Sequence, residues 1–307
     1  MTWLILVIIT VFVDAMRIFI DNYVSDVYFK GRGAASQKIF YGYALVLFSV
    51  VLIAINGVGD LLNNPALAGI LVLAGFINGF SGIFYYKALE IDDSTNLGIF
   101  IQMAPVMYLI LGWIFLKESF SPVQLLAFAI VMAAPVLIVC STRKRSRKVQ
   151  MKAVLFSFLY VLIAVISNMI FVTANDGFGN MATSIALVLF GKGVADIIIV
   201  LARPQWHRRF WSVVRTSKRK VLVPMCVNFI VGTSKEFFYR MALVLAPSMA
   251  IASVASDSSE PIGIFFMGLV LTMIWPKFGR EKLNRKSVMV HLAATVLVVI
   301  GVVLLQL

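Results

Sequence analysis

Two stretches decide how this sequence is read: Phe76-Ile-Asn-Gly-Phe-Ser81, running on to Phe84-Tyr-Tyr-Lys-Ala-Leu89, and Phe229-Ile-Val-Gly-Thr-Ser234, running on to Phe237-Phe-Tyr-Arg240. They lie 153 residues apart. Downstream, Ala104-Pro105 is echoed by Glu260-Pro261. Lys117-Glu118, four residues before Pro122, is echoed by Arg280-Glu281, four before Arg285. Each echo leads into a last apolar run. The order survives small insertions, which points to duplication of a unit about half the chain long.

What is duplicated is membrane-spanning. The 307 residues are 61% hydrophobic and 13% charged, with a formal net charge of +13. A soluble domain is nearer half apolar and about a quarter charged. That excludes an ordinary soluble enzyme, a disordered chain and a secreted disulfide scaffold. Cys140 and Cys226 are the only cysteines, both in apolar stretches, and read as packing residues. A bilayer core about 30 Å thick needs about 20 apolar residues as helix. Ten such segments are expected, at residues 2–22, 37–55, 65–89, 95–116, 122–140, 151–173, 183–201, 222–245, 247–275 and 287–307. The first has no basic start and no small-residue cleavage site, so it is expected to stay as a span.

The loops carry the basic charge. Of 27 basic residues, 21 lie in the odd-numbered connections or within two residues of them, between spans one and two, five and six, seven and eight, and nine and ten. Short basic loops stay in the cytoplasm. With ten spans, that places the odd loops inside and both termini outside, in a plasma (inner) membrane. The charge thus orients the chain, and no nucleic-acid partner is implied. Loop 203–220 also holds Trp206, Phe210, Trp211 and Val214, spaced to lie near one face of a short helix. It reads first as an inside loop with interfacial aromatics; a specific anionic-lipid site is the sharper alternative.

The repeat unit has five spans. Two copies of an odd-numbered unit in series must enter the membrane in opposite directions, which is the inverted-repeat plan of many secondary transporters. The expected fold is all-α and polytopic, with ten transmembrane helices as two inverted five-helix repeats. The first covers 1–141, a basic cytoplasmic linker 142–152, and the second 153–307.

On these residues the chain resembles the drug/metabolite transporter superfamily, its EamA-type members most closely. The resemblance rests on Tyr86-Lys87-Ala88-Leu89 through Pro105 to Lys117-Glu118, and covers nearly the whole chain. The second half departs from the pattern with Arg240-Met241 before the Ala and a longer basic linker before span ten. The resemblance implies transport of a metabolite or drug, without naming it. Many relatives have both termini in the cytoplasm, against the loop charges here. Small multidrug resistance relatives bind protons and cations on a first-span carboxylate, usually Glu; the resemblance would put that role on Asp14.

Ionisable residues within spans cost at least about 2.5–3.5 kcal/mol each, so they are rarely accidental. Span one has Asp14, Arg17 and Asp21, and span seven has Lys192 and Asp196. Their spacing allows local charge pairing along each helix. Span eight has Lys235, Glu236 and Arg240, and span nine has Ser256-Asp-Ser-Ser-Glu-Pro261. The repeat is an internal control here. Lys235 and Glu236 stand where the first half has Gly82 and Ile83; Asp257 and Glu260 stand where it has Ile101 and Ala104. Charge at these positions is therefore not required by the fold. Pro261 removes a backbone donor and breaks the helix a turn earlier, as Pro105 would in span four. The candidate substrate- or proton-binding residues are Asp257, Glu260, Lys235, Glu236, Asp14, Ser256 and Ser259. Asn78, Gln102, Asn228, Tyr86 and Tyr239 are candidate cavity linings, with interhelical hydrogen bonding and an aromatic belt as the plainer readings.

The function expected is secondary active transport by alternating access, of an amine, amino acid or organic cation, proton-coupled in the sense that a proton and the substrate compete for the same carboxylates. The expected partners are a small-molecule substrate, a proton or other coupling ion and membrane lipids, in a monomer or homodimer. An organic-anion or sugar-phosphate exchanger, built on Lys235, Arg240 and Arg17, is the first alternative. A non-transporting scaffold or lipid-handling protein is the second. No HExxH, P-loop or GxGxxG motif occurs, and neither His207 nor His291 has a recognisable catalytic partner, so no enzyme, metal or cofactor is expected.

Overall fold

In a bilayer each backbone N–H and C=O must find a partner within the chain, and a long apolar run does this as a helix. A computed structural model describes residues 2–29, 37–91, 103–142, 151–217, 219–274 and 285–305. Its helices are α1 Thr2–Tyr28, α2 Lys38–Asn56, α3 Gly59–Asn63, α4 Pro65–Ile91, α5 Ala104–Phe115, α6 Pro122–Thr142, α7 Met151–Phe178, α8 Met181–Leu201, α9 Pro204–Ser217, α10 Arg219–Leu245, α11 Met249–Asp257, α12 Glu260–Ile274 and α13 Arg285–Leu304. No strand occurs among the described residues.

Among the described residues, seven segments are long and apolar enough to cross a membrane, and α5, α6 and α13 contribute three shorter apolar ones. These ten coincide with the ten expected from the sequence, and the protein is an all-α, polytopic membrane protein. Large apolar side chains are exposed along them, including Leu47, Ile55, Trp113, Phe115 and Met273. Only a lipid surrounding makes that tolerable.

The helix starts follow from local chemistry. Ser121 and Gln124 form a reciprocal capping box before α6: Gln124 N–H donates to Ser121 Oγ at 3.2 Å, and Ser121 N–H donates to Gln124 Oε1 at 3.0 Å. Asn180 Oδ1 accepts from Thr183 N–H and starts α8. Ser248 Oγ accepts from Ile251 N–H and starts α11.

The chain divides into two compact units, each drawing on both halves of the sequence. One comprises residues 20–86 and 162–233. There α2 packs along α8, and α8 also meets α4 backbone to backbone. A Cβ on Gly75 would fall 1.9 Å from the Val188 carbonyl oxygen, and one on Gly191 would fall 2.0 Å from that of Val72. Close approach of this kind holds helices together where lipid removes the hydrophobic drive. Ser167 Oγ donates to the Ala74 carbonyl at 2.7 Å, tying α7 to α4.

Two polar pairings lie in this unit. Lys38 Nζ meets Asp196 Oδ1; the aspartate is buried and the lysine is partly so. This corrects the local pairing of Asp196 with Lys192: the partner comes from the start of α2. Asn228 Nδ2 donates to Asp21 Oδ1 at 2.5 Å and lies against the Tyr41 hydroxyl. Cys226 is exposed, not a buried packing thiol.

The other unit comprises residues 1–19, 87–161 and 234–307. Here α13 packs on α6 and α11 packs on α5. His291 stacks on Phe265, with ring centroids 4.0 Å apart, and joins α13 to α12.

Candidate functional site

The ninth span is in two pieces. α11 stops at Asp257, and α12 begins at Glu260 with Pro261 in its first turn. Ser258 and Ser259 form the joint. Ser259 N–H donates to Ser256 O, and Ile262 and Gly263 N–H both donate to Ser259 O, so the backbone is largely satisfied without a continuous helix. Ser259 Oγ turns back to Ala255 O at 2.6 Å, and Ser258 Oγ reaches Met132 Sδ at 3.7 Å. The interruption puts two carboxylates beside each other at the middle of a span.

The charged residues of α1 and α10 join them in the same unit. Asp14 is buried; its Oδ1 accepts from Arg17 Nε at 2.6 Å, and its Oδ2 lies 3.5 Å from Lys235 Nζ. Lys235 Nζ also stands 5.2 Å from the Tyr239 ring centroid. Asp257 Oδ2 accepts from Ser253 Oγ at 2.6 Å, and Tyr239 is hydrogen-bonded to the same carboxylate and to Tyr108. Glu260 is half-buried and feels the charges of Asp14, Lys235, Asp257 and Arg17. One turn beyond Lys235 and Glu236, the fully buried Arg240 faces Glu236 at 3.6 Å.

Arg240 pairs with Glu236, whose charge also acts on Asp14 and Lys235. The cluster thus holds Asp14, Glu236, Asp257 and Glu260 against Arg17, Lys235 and Arg240. Counted as ionised, four carboxylates against three bases leave one negative charge. Arg17 and Lys235 meet Asp14. Asp257 is held by neutral hydroxyls, and Glu260 has no ion-pair partner among the described residues. Such an arrangement can take up one proton or one monovalent cation without leaving an uncompensated charge in the bilayer.

The sequence-expected residues thus separate. Asp14, Lys235, Glu236, Tyr239, Ser256, Asp257, Ser259 and Glu260 belong to this unit. Ser256 is buried on α11, and Ser259 bonds its own helix. Asn78 and Asn228 belong to the other unit, Asn228 in the network with Asp21 and Tyr41. Gln102 and the Tyr86 side chain lie outside the described residues. Pro105 is at the start of α5, with residues 92–102 before it outside the described residues. Sequence reasoning missed Tyr108 and Ser253. Ser253 had a usable signal, four residues before Asp257 and so on its helical face.

The Lys117-Glu118 motif has a role in the fold. Lys117 sits at φ 55°, in the left-handed region, as α5 ends. This turn lets Glu118 N–H donate to Gly112 O at 3.2 Å and folds the side chain back. Glu118 Oε1 then accepts from Met249 N–H, the first residue of α11, at 3.1 Å. Glu118 Oε2 is buried without a hydrogen-bond partner, and a Cβ on Gly112 would fall 2.5 Å from it. The carboxylate lies at the positive end of the half-helix that carries Asp257 at its other end. Burial pushes the Glu118 carboxyl above its ordinary range, the Met249 hydrogen bond opposing.

Fold and charge placement define a polytopic helical membrane protein with an ionisable cluster inside its spans. The model of the EamA-like transporter family matches residues 2–140, the first of the two expected repeats, which is where the resemblance is borne out. A protein of known crystal structure, 11% identical, is similar over 98% of this chain and 95% of its own, with a TM-score of 0.68. It is one of 28 solved chains that match. At such identity the likeness shows the fold alone, over nearly the full length. No curated protein matches the chain.

Proposed function

We propose that the protein is a proton-coupled secondary transporter of a small amine, amino acid or other organic cation. The observation that carries this reading is the surplus carboxylate at the α11–α12 break, beside the Asp14–Lys235 pair. A proton and a cationic substrate would compete for Asp257 and Glu260, and release of one would accompany binding of the other. Tyr239 and Ser253 orient the Asp257 carboxylate; Lys235 keeps Asp14 neutralised. Two inverted five-helix repeats, 1–141 and 153–307, joined by the linker 142–152, give the symmetry for alternating access. The loop charges support cytoplasmic odd-numbered loops in a plasma membrane, with both termini outside.

The organic-anion alternative needs a base free to meet phosphate or carboxylate. Instead Arg17 and Lys235 lie on Asp14, and Arg240 on Glu236. The test is proton movement in proteoliposomes carrying a pH-sensitive dye, started by adding ethidium or a primary monoamine. Asp257→Asn and Glu260→Gln are each expected to abolish the signal. Wild-type flux persisting in both variants would refute the reading.

A further inference from the structure

α9 is held at the membrane surface by its connections. Two residues join it to the span α8, and one joins it to the span α10. A 14-residue helix, about 21 Å long, cannot leave the surface on such short joints. Its inner face is anchored. Phe210 is buried in a cluster with Ile20, Val24, Phe29 and Met225, and Trp206, Val213 and Val214 pack on it. Arg209 Nη2 donates to the Phe29 carbonyl at 3.2 Å, and Arg203 lies over the Trp206 ring at 4.8 Å.

The outer face is different. Arg208, Trp211 and Arg215, at i, i+3 and i+7, form one exposed stripe. Trp211 is 44% exposed, yet its Nε1–H donates to His207 Nε2 at 3.1 Å, so the indole is held outward at low entropic cost. Residues 203–220 contain seven basic residues and no acidic one, so the segment offers the stripe no counter-charge. A shallow pocket lined by Leu201, Pro204, His207 and Arg208 adjoins it.

We propose that this Arg208–Trp211–Arg215 stripe binds the headgroups of anionic phospholipids in the leaflet it faces. The guanidiniums would take the phosphates and the indole would sit at the headgroup level, where Trp is favoured. Each base near such a surface contributes about 1 kcal/mol, a several-fold enrichment of anionic lipid. The surface lies outside the ionisable cluster and does not depend on the transport reading.

The test uses the full-length chain in phosphatidylcholine vesicles containing phosphatidylglycerol, with bromine on the acyl chains of one lipid or the other. The Trp211 signal is isolated by difference from Trp211→Phe. Bromophosphatidylglycerol is expected to quench it several-fold more than bromophosphatidylcholine at equal mole fraction, and the preference should vanish in Arg208→Gln/Arg215→Gln. Equal quenching by the two lipids, or a preference unchanged in the double variant, would overturn the proposal. If the double variant fails to fold, a salt titration of the wild-type chain decides instead: the preference must fall with ionic strength.

Discussion

The contact between Glu118 and Gly112 allows a test in which the sign of an effect reverses. Replacing Gly112 by Ala puts a Cβ 2.5 Å from Glu118 Oε2 and 3.2 Å from Cδ, so the carboxylate must leave. It then loses the Met249 N–H bond. A hydrogen bond to a charged group contributes about 1.5–3 kcal/mol. Against this, Ala improves the helix by up to about 1 kcal/mol over Gly. The single variant should therefore be less stable by about 0.5–3 kcal/mol, the difference of those two ranges. In a Glu118→Ala background there is no carboxylate to displace. Gly112→Ala should then be neutral or stabilising by up to about 1 kcal/mol. The coupling between the sites is expected to be about 1.5–3 kcal/mol. The assay is a double-mutant cycle on the detergent-solubilised full chain, unfolded thermally or with added denaturing detergent. Equal destabilisation by Gly112→Ala in both backgrounds would refute the idea that the glycine exists to house the carboxylate.

Two further outcomes can be checked on the same material. Because burial raises the Glu118 carboxyl, the folded chain holds that proton more tightly than the unfolded one; this group's stabilisation is full below the ordinary Glu range and is lost as pH rises through the raised value. Glu118→Gln cannot ionise, so its melting temperature relative to wild type should climb with pH across that window, and a constant difference would count against the burial argument. Separately, Asp196→Asn leaves the largely buried Lys38 ammonium without its counter-charge and should cost up to about 3–5 kcal/mol. Adding Lys38→Met should recover most of this loss in the same unfolding assay.

The spans were legible because lipid imposes a coarse rule: an apolar run of the right length has to be helix. The position of the break was legible too, since Pro261 following three serines in five residues weakens a helix locally. α9 could be read from the spacing of Trp206, Phe210 and Val214. Partner choice was not legible. Asp196 has Lys192 one turn away, yet it bonds Lys38, 158 residues distant, because α2 and α8 pack along each other. Asn228 goes to Asp21 and Tyr41 for the same kind of reason. Tyr108 acquires its place only when α5 meets α11. Glu118 stands out in the sequence through its motif, but nothing in the sequence says which amide it meets. One-dimensional periodicity reports which face of a helix a side chain occupies; it is silent on what lies opposite.

The backbone contact of α4 with α8 bears on how the protein can move. Helices separated by interdigitating side chains can slide by small rotamer changes, the usual basis of shear. At Gly75 and Gly191 there are no such side chains, only carbonyls of the neighbouring helix. Slippage by even one residue would drive a Cβ into a carbonyl, so the pair has a single register and α4 and α8 must travel together. Bending is favoured instead where the helical ladder is already interrupted, at Ser258 and Ser259, and there the cost of tilting is spread over two hydroxyls that can exchange acceptors. Sliding is thereby closed to one part of the molecule, while a hinge is open at the residues that hold its inward carboxylates.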